Sequence, residues 1–508
     1  MSRVQSYYEG LIEKLLSNKK ILLFFLLEII VVIGFEMAFD HFSIKKVLVV
    51  FLMVFCIVML LGKNTAKNVF IIISTFGVAF SLLSPVFDVW DEDAHFIRSV
   101  YISEGNLWLS NEEDELIVSD DVKLLMGLSE YEQRNEKKMA NFLETKLWEY
   151  KHTDEKSFES KITSTNAYSF LSYLPSTFGY VVGKVISNGN LGVMFYLGRI
   201  ANVLFYALCA MIAVKLSLKW NKIFAFFSIQ PMVIYISSSF NQDAFTYGLI
   251  LLILAYFINF LQRQEKSISF KDVSLFTLMC FLMIMTKLPY MTLAGLLIFI
   301  PKNKFKTTAT YLTTFIGILI VIIGGIWWLL TYSEIVGHLP AGSEDKVDML
   351  GQIAFITDNF SSFLKILATN LVSTLTKYYQ LSSLAWGSQS ATELGLVNLS
   401  LLVIPLIYPI PKHEEIPFLT KIGVFLVSLV TMVLIYLSMY LAWNEVGSEI
   451  INGVQGRYFF GVILSLPIFM NFSKHIGYVE EKKDNNILLF IGISLLIWAI
   501  AVRIGIYY

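Results

Sequence analysis

Four ionisable side chains crowd into five positions of the segment VWDEDAHFIRSVYISEG, directly after a strongly apolar stretch: Asp91, Glu92, Asp93 and His95. If the preceding helix continues into this segment, residues at steps of three and four share one face: Asp88, then Asp91 or Glu92, then His95, then Arg98 or Ser99. Carboxylates with a histidine at this spacing can bind a divalent metal, Mg²⁺ or Mn²⁺, or can hold one carboxylate as a general base. The alternative interpretation is that Asp91 or Asp93 only caps a helix that begins here.

Four further candidates come from other parts of the chain: Arg199 in YLGRIANVL, Asp243 in SSSFNQDAF, Lys287 in MTKLPY and Arg457 in GVQGRYFFGV. An ionised residue in or beside an apolar segment is costly, so Arg199 and Lys287 either have a function or extend to the membrane interface. Asp243 is either a helix cap or a functional acid. Neighbouring glycines would let a ligand approach the backbone beside Arg457, whose guanidinium suits bidentate contact with a phosphate.

The composition shows what kind of elements must position these side chains. Of the 508 residues, 56% are hydrophobic and 16% are charged, against about 25% charged in an average soluble protein. The apolar residues fall into runs that mostly approach or exceed the roughly 20 residues of a membrane-spanning helix. These runs lie at about 20–39, 46–61, 68–87, 191–214, 222–239, 244–261, 272–286, 288–300, 308–332, 392–410, 417–441, 455–473 and 486–506. The sequence therefore predicts an all-α integral membrane protein with about 13 transmembrane helices.

Two classes of site are not indicated by this composition. The net charge of −1 and the lack of a basic arm give no sign of a nucleic-acid partner. Cys56, Cys209 and Cys280 lie far apart inside apolar runs, so neither a disulfide framework nor a zinc site is expected.

Clusters of lysine and arginine set the predicted orientation. They recur between apolar runs at 63–67, 215–222, 263–271, 302–306 and 474–483. Because cytoplasmic loops carry such an excess, one threading puts these clusters and the N-terminus inside, with Lys45 and Lys46 as the exception.

This threading makes residues 88–190 and 333–391 two large external loops within a single polytopic domain, 1–508. Both are expected to carry interfacial helices. Segment 166–186 is expected to lie in the membrane interface as an amphipathic helix; were it to cross, the 215–222 cluster would become external.

Acids in one external loop, with cations at outer helix ends, suit an anionic head group at the lipid surface. A lipid-linked sugar phosphate has this chemistry, since its phosphate needs cations and the acceptor hydroxyl needs a base. A flippase or exporter of lipid-linked polysaccharide can use the same charges and stays the alternative, as does a polysaccharide polymerase.

The same motifs, taken in order, carry a family resemblance. DEDAHFIRSVYISEG, with the pattern D-E-x-x-H-x-x-R, is followed by YLGRIANVL, NQDAFTYGL and GVQGRYFFGV. From about Leu82 to Met470 the chain resembles the bacterial multi-pass membrane family called domain of unknown function 2142, which looks like a branch of the GT-C glycosyltransferase superfamily. It departs from the family pattern at Val89-Trp90, where a Pro-Pro pair is expected.

The resemblance implies a GT-C-like bundle and a transferase that works on the outer face of the bacterial cytoplasmic membrane. Its donor would be a polyprenyl-phosphate-linked sugar, and its acceptor a cell-surface glycan, teichoic acid or protein. Inverting displacement at the anomeric carbon is implied, with Asp91 as the base and with Glu92 and His95 orienting it or binding a metal. Contacts with lipid phosphate or substrate are expected from Arg98, Arg199, Asp243, Lys287 and Arg457. Trp386 in the second loop either stacks on a sugar or packs in the core.

Overall fold

The computed structural model describes most of the chain from residue 60 onward. The described ranges are 60–89, 91–108, 116–134, 146–160, 165, 168–336, 347–377, 402–410, 415–472 and 486–507, preceded by the scattered positions 23, 26–27, 29–30, 48, 51–55 and 57. Trp386 lies outside the described residues, as does much of the apolar runs 20–39, 46–61 and 392–410.

The described chain is predominantly helical. In chain order its helices are α1 (Thr65–Leu83), α2 (Glu92–Ser103), α3 (Asp121–Arg134), α4 (Leu174–Ser187), α5 (Leu191–Leu216), α6 (Asn221–Ser228), α7 (Pro231–Ser237), α8 (Asp243–Gln262), α9 (Phe270–Ile284), α10 (Thr308–Val336), α11 (Met349–Asp358), α12 (Phe360–Lys377), α13 (Val403–Ile407), α14 (Phe418–Trp443), α15 (Phe460–Phe469) and α16 (Ile487–Tyr507). Short 3₁₀ helices occupy Lys146–Glu149, Phe170–Tyr173, Leu218–Trp220, Leu288–Phe299, Lys302–Lys304 and Gly456–Phe459. The strands β1 (Leu116–Ser119) and β2 (Lys156–Ser160) pair antiparallel, with Val118 opposite Phe158.

Within the described residues, six helices are long and apolar enough to cross a membrane: α1, α5, α8, α10 as far as Thr331, α14, and α16 as far as Ile504. The predicted all-α membrane class is therefore confirmed, and the chain is a multi-pass membrane protein. The total of thirteen spans stays a prediction. The apolar run at 222–239 is divided into α6 and α7 at Pro231, because proline lacks the N–H that would continue α6.

The segment that joins α1 to α2 is not helical. The last hydrogen bond of α1 runs from the Ser84 N–H to the Phe80 carbonyl. The helix stops there because Pro85 disfavours a helical conformation at Ser84, the residue before it. Helix α2 starts afresh at Glu92. A single helix therefore does not run through the acidic segment, and Asp88 lies off the face that carries His95.

The first predicted external loop builds a lobe with its own apolar core. Phe96 on α2, Val118 on β1 and Phe195 on α5 belong to one buried cluster, separate from the larger core between the spanning helices. Glu104 joins the lobe to α2, because it accepts from the Ser119 N–H at 2.9 Å and pairs with Lys156 Nζ at 2.7 Å. The lobe thereby holds α2 at the end of the membrane-spanning bundle.

Helices α4 and α5 form a tight hairpin that covers α2. Asn188, in the left-handed conformation with φ 52°, reverses the chain after α4. Gly179 and Gly183 then let α4 pack on the backbone of α5; a Cβ at Gly183 would lie 2.5 Å from Met194 Cα. With 14 residues, α4 is not among the six candidate spans, and its position at the membrane interface stays a prediction.

Candidate active site

Glu92 and Arg199 form a buried bidentate ion pair. Arg199 Nε donates to Glu92 Oε1 at 2.7 Å, and Nη2 donates to Oε2 at 2.6 Å. Both side chains are 0% exposed, and the Phe240 N–H also donates to Oε1 at 3.2 Å. Burial raises the pKa of Glu92, and the Arg199 guanidinium opposes that shift.

The remaining donors of Arg199 hold the end of α1. Nη1 donates to the carbonyls of Ser81 and Ser84 at 3.0 and 2.7 Å, and Nη2 donates to the Pro85 carbonyl at 2.7 Å. All five N–H groups of the guanidinium are thus used within the protein. The pair fastens α1, α2 and α5 together, which favours a structural role for Glu92 and Arg199 over the roles in metal binding, orientation and phosphate contact predicted for them.

Asp91, one residue earlier, faces a different environment. Its backbone is left-handed, with φ 61°, and its side chain makes no capping hydrogen bond to α2. Its side chain is 42% exposed, and Oδ2 accepts from Arg457 Nη2 at 2.6 Å. A left-handed conformation at a non-glycine residue is costly and must be held by its surroundings. Here it sends two consecutive carboxylates apart, Glu92 into the core and Asp91 to an accessible position.

Asp91 belongs to a charge cluster with Asp243, Lys287 and Arg457. Arg457 Nε lies 3.7 Å from Asp243 Oδ2, and Lys287 Nζ donates to Asp243 Oδ1 at 3.2 Å. Asp243 is 2% exposed and is the first residue of α8, where the helix dipole favours a carboxylate. The structure thus brings together four residues that the sequence analysis proposed from four separate motifs.

Histidine and tyrosine side chains border this cluster. His95 Nδ1 lies 2.8 Å from the Tyr173 hydroxyl, and the His95 ring lies 6.0 Å from that of Tyr168. Lys287 Nζ lies 3.8 Å from the centroid of the Tyr458 ring. Burial lowers the pKa of His95 to about 4, so the imidazole is neutral near pH 7. The tyrosines were not predicted, because nothing in their local sequence distinguishes them from ordinary interface tyrosines.

Arg98 lies on α2 about one turn beyond His95, and it is therefore farther along the helix axis from Asp91. It is 2% exposed, and Nη2 donates to the Leu107 carbonyl at 2.9 Å. Its guanidinium lies 5.4 Å from the Tyr101 ring centroid. The predicted substrate-binding arginine is therefore close to the site but is not one of the four members of the charge cluster.

A second buried ion pair was missed by the sequence analysis. Arg503 on α16 donates to Asp88 Oδ2 at 2.9 Å, and both side chains are less than 5% exposed. The Tyr235 hydroxyl also donates to Asp88. The position of Arg503 inside an apolar run could have predicted a buried ion pair, because an ionised residue there needs a partner.

The predicted metal ligands are Asp91, Glu92 and His95. Among the residues that the structure describes, no group of three histidine, cysteine or acidic side chains could hold a metal ion. Both oxygens of Glu92 are bound by Arg199, which leaves Asp91 and His95 as the remaining predicted ligands. Metal dependence stays a prediction.

The chain matches a known protein family over most of its length. A family model described as "Predicted membrane protein (DUF2142)" matches residues 75–466. The chain belongs to the DUF2142 family. Among curated proteins, no match to the chain is found. The DUF2142 region contains the whole charge cluster and the Glu92–Arg199 pair, whereas Arg503 lies beyond its end. The family predicted from the sequence motifs is thus confirmed, and the GT-C relationship stays a prediction.

Proposed function

We propose that this DUF2142 protein is a membrane glycosyltransferase of the GT-C type. It would transfer a sugar from a polyprenyl-phosphate-linked donor to a cell-surface glycan, teichoic acid or protein, on the outer face of a bacterial cytoplasmic membrane. The observation that carries the proposal is the position of Arg457, which contacts the accessible Asp91 and lies beside the buried Asp243.

Arg457 and Lys287 supply the cations that a lipid phosphate requires. The Arg457 side chain is 5% exposed and that of Lys287 is 11% exposed, so a phosphate bound there is largely shielded from water. Charge-assisted hydrogen bonds are stronger in such surroundings than at an open surface. The cluster lies at the start of α8 and just before α15, where helices end and a lipid head group is expected.

Asp91 is the proposed base. A phosphate that reaches Arg457 lies next to the Asp91 carboxylate, because Arg457 Nη2 and Asp91 Oδ2 are 2.6 Å apart. The acceptor oxygen would form a bond to the anomeric carbon while the bond from that carbon to the phosphate oxygen breaks. The proton of the acceptor hydroxyl goes to Asp91, and the lipid phosphate leaves with the electron pair of the broken bond. Attack from the face opposite the leaving group inverts the anomeric configuration.

The test compares wild type with Asp91→Asn and with Asp93→Asn as the matched control. Asp93 is the neighbouring acid on α2 and makes no contact with Arg457 among the described residues. Membrane levels and thermal stability of each variant are measured first. Surface glycans are then analysed for sugar composition, and polyprenyl-linked sugars by mass spectrometry.

Transferase chemistry predicts that Asp91→Asn loses one sugar substituent and accumulates the monosaccharide-linked lipid, while Asp93→Asn resembles wild type. Intact glycans in a normally folded Asp91→Asn variant would remove Asp91 from the mechanism. Long lipid-linked glycans retained on the inner leaflet would instead support transport.

A further inference from the structure

We infer that Arg98 forms a second anion subsite, which binds a carboxylate or phosphate group of the acceptor. The inference rests on the proposed function, because it assigns the acceptor side of the same site. The acceptor would then be an anionic glycan.

The hydrogen bonding of Arg98 is incomplete. Nη2 donates to the Leu107 carbonyl, whereas among the described residues neither Nε nor Nη1 has a hydrogen-bond partner. The side chain is nevertheless 2% exposed. Arg199, equally buried, uses every donor that it has. A buried guanidinium with unused donors is costly, and an anion oxygen at Arg98 can accept a charge-assisted hydrogen bond from Nε or from Nη1.

The position of Arg98 separates it from the donor phosphate. Six residues separate Asp91 from Arg98, and α2 rises about 9 Å from Glu92 to Arg98. His95 and Tyr173 lie between them and join through their 2.8 Å contact. This rise along the helix is several times the size of one phosphate group. We therefore assign the anion at Arg98 to a different group from the phosphate on Arg457 and Lys287, about one sugar unit away.

An exposed aromatic side chain adjoins this subsite. Trp108 is 58% exposed, and its ring packs edge-on against Phe170 at 5.3 Å. Arg98 and Tyr101 hold the backbone that presents it, since they donate to the carbonyls of Leu107 and Trp108 at 2.9 and 3.3 Å. A flat, fixed indole beside a cation suits the apolar face of a pyranose that carries a negative charge.

The first experiment measures anion binding to the full chain in lipid nanodiscs. The probes are methyl β-glucuronide, inorganic phosphate and the neutral methyl β-glucoside, each titrated at constant ionic strength while the unfolding temperature is followed. Wild type is expected to show a saturable rise with glucuronide or phosphate, and the stronger of the two identifies the anion. Arg98→Gln is expected to weaken the apparent affinity at least tenfold.

Two matched variants complete this experiment. Arg263→Gln removes an arginine that pairs with Asp272 far along α8 from the site, and it should bind like wild type. Trp108→Ala removes only an exposed ring, and it should weaken glucuronide binding even if Arg98→Gln proves unstable. Equal responses of wild type, Arg98→Gln and Trp108→Ala would overturn the subsite, as would a response to the neutral glucoside equal to the responses to glucuronide and phosphate.

Failure of the subsite can be told from failure of the transferase proposal. Binding of a short-chain prenyl phosphate should be lost in Arg457→Gln and kept in Arg98→Gln. If Arg457→Gln binds the prenyl phosphate normally while glucuronide still depends on Arg98, the donor site is refuted and the anion subsite stands. If prenyl phosphate depends on Arg457 while no soluble anion depends on Arg98, only the subsite is refuted.

Discussion

The buried Glu92–Arg199 pair allows a direct test of whether these two residues have a structural role and not a catalytic one. Removing one partner of a buried ion pair leaves the other charge uncompensated and typically costs about 3–5 kcal/mol. In Glu92→Gln the Arg199 guanidinium keeps its carbonyl partners but loses its only anion among the described contacts. We therefore expect the free energy of unfolding to fall by about 3 kcal/mol, at the lower end of that range.

Arg199→Met should cost more than Glu92→Gln. It leaves the Glu92 carboxylate buried with the Phe240 N–H as its remaining described donor. It also removes a donor from three carbonyls near the end of α1, of which only that of Pro85 has another described donor, the Asp88 N–H at 3.3 Å. We expect a loss of about 5 kcal/mol. The double variant Glu92→Met/Arg199→Met has no uncompensated charge, so its loss should be smaller than the sum of the two single losses.

The measurement is equilibrium unfolding of the full chain in mixed micelles, followed by tryptophan fluorescence. Lys184→Met is the control, since Lys184 pairs with the exposed Asp154 and such pairs contribute about 0–1 kcal/mol. Glu92→Gln with wild-type stability and lost transfer activity would refute the structural role and make Glu92 a candidate for the base in place of Asp91.

His95, Lys287 and Gly183 can each be tested by a single substitution. The pKa of His95 is lowered to about 4, so below about pH 6.5 the unfolded chain binds a proton that the folded chain does not. The free energy of unfolding should therefore fall by up to about 3 kcal/mol as the pH drops from 6.5 to 4. In His95→Gln, the free energy of unfolding should depend less steeply on pH over this interval. Lys287→Met should weaken the affinity for a short-chain prenyl phosphate tenfold or more, since a hydrogen bond to a charged group contributes about 1.5–3 kcal/mol; unchanged binding in a titration would remove Lys287 from the donor site. Gly183→Ala should lower the free energy of unfolding by about 1–3 kcal/mol, because the new Cβ would lie 2.5 Å from Met194 Cα. Gly127→Ala on α3 is the control: its Cβ meets nothing within 4 Å, so the change should be neutral or stabilising. Thermal melts of both variants measure the difference.

The spanning helices could be predicted from the sequence because hydropathy alone decides which segments enter a bilayer. The apolar run at 191–214 corresponds to α5 at Leu191–Leu216, and the run at 417–441 to α14 at Phe418–Trp443. The broken run at 222–239 could have been recognised from Pro231. Hydropathy does not register such a break, since proline removes a hydrogen-bond donor without adding charge.

The pairing of charges could not be predicted in the same way. Asp91 and Glu92 are adjacent and chemically alike, and only the left-handed backbone at Asp91 sends them to different arginines. Asp88 and Arg503 come from opposite ends of the chain, so no local pattern joins them. The sequence could propose that the acidic segment, Asp243, Lys287 and Arg457 converge, because each lies at an outer helix end in one threading.

The balance of charge in the cluster bears on how transfer would begin. Asp91 and Asp243 offset Lys287 and Arg457, so two buried cations are tolerated close together without a ligand that neutralises them. Under the proposed function, an arriving lipid phosphate competes with Asp91 for Arg457, since both anions need the same guanidinium edge. A phosphate that wins this competition releases Asp91 Oδ2 from its 2.6 Å contact and leaves that oxygen able to accept a proton. Binding of the donor would thereby expose the base next to the anomeric carbon that it serves. Glu92 differs from Asp91 in this respect, because Arg199 binds both of its oxygens and both side chains are fully buried.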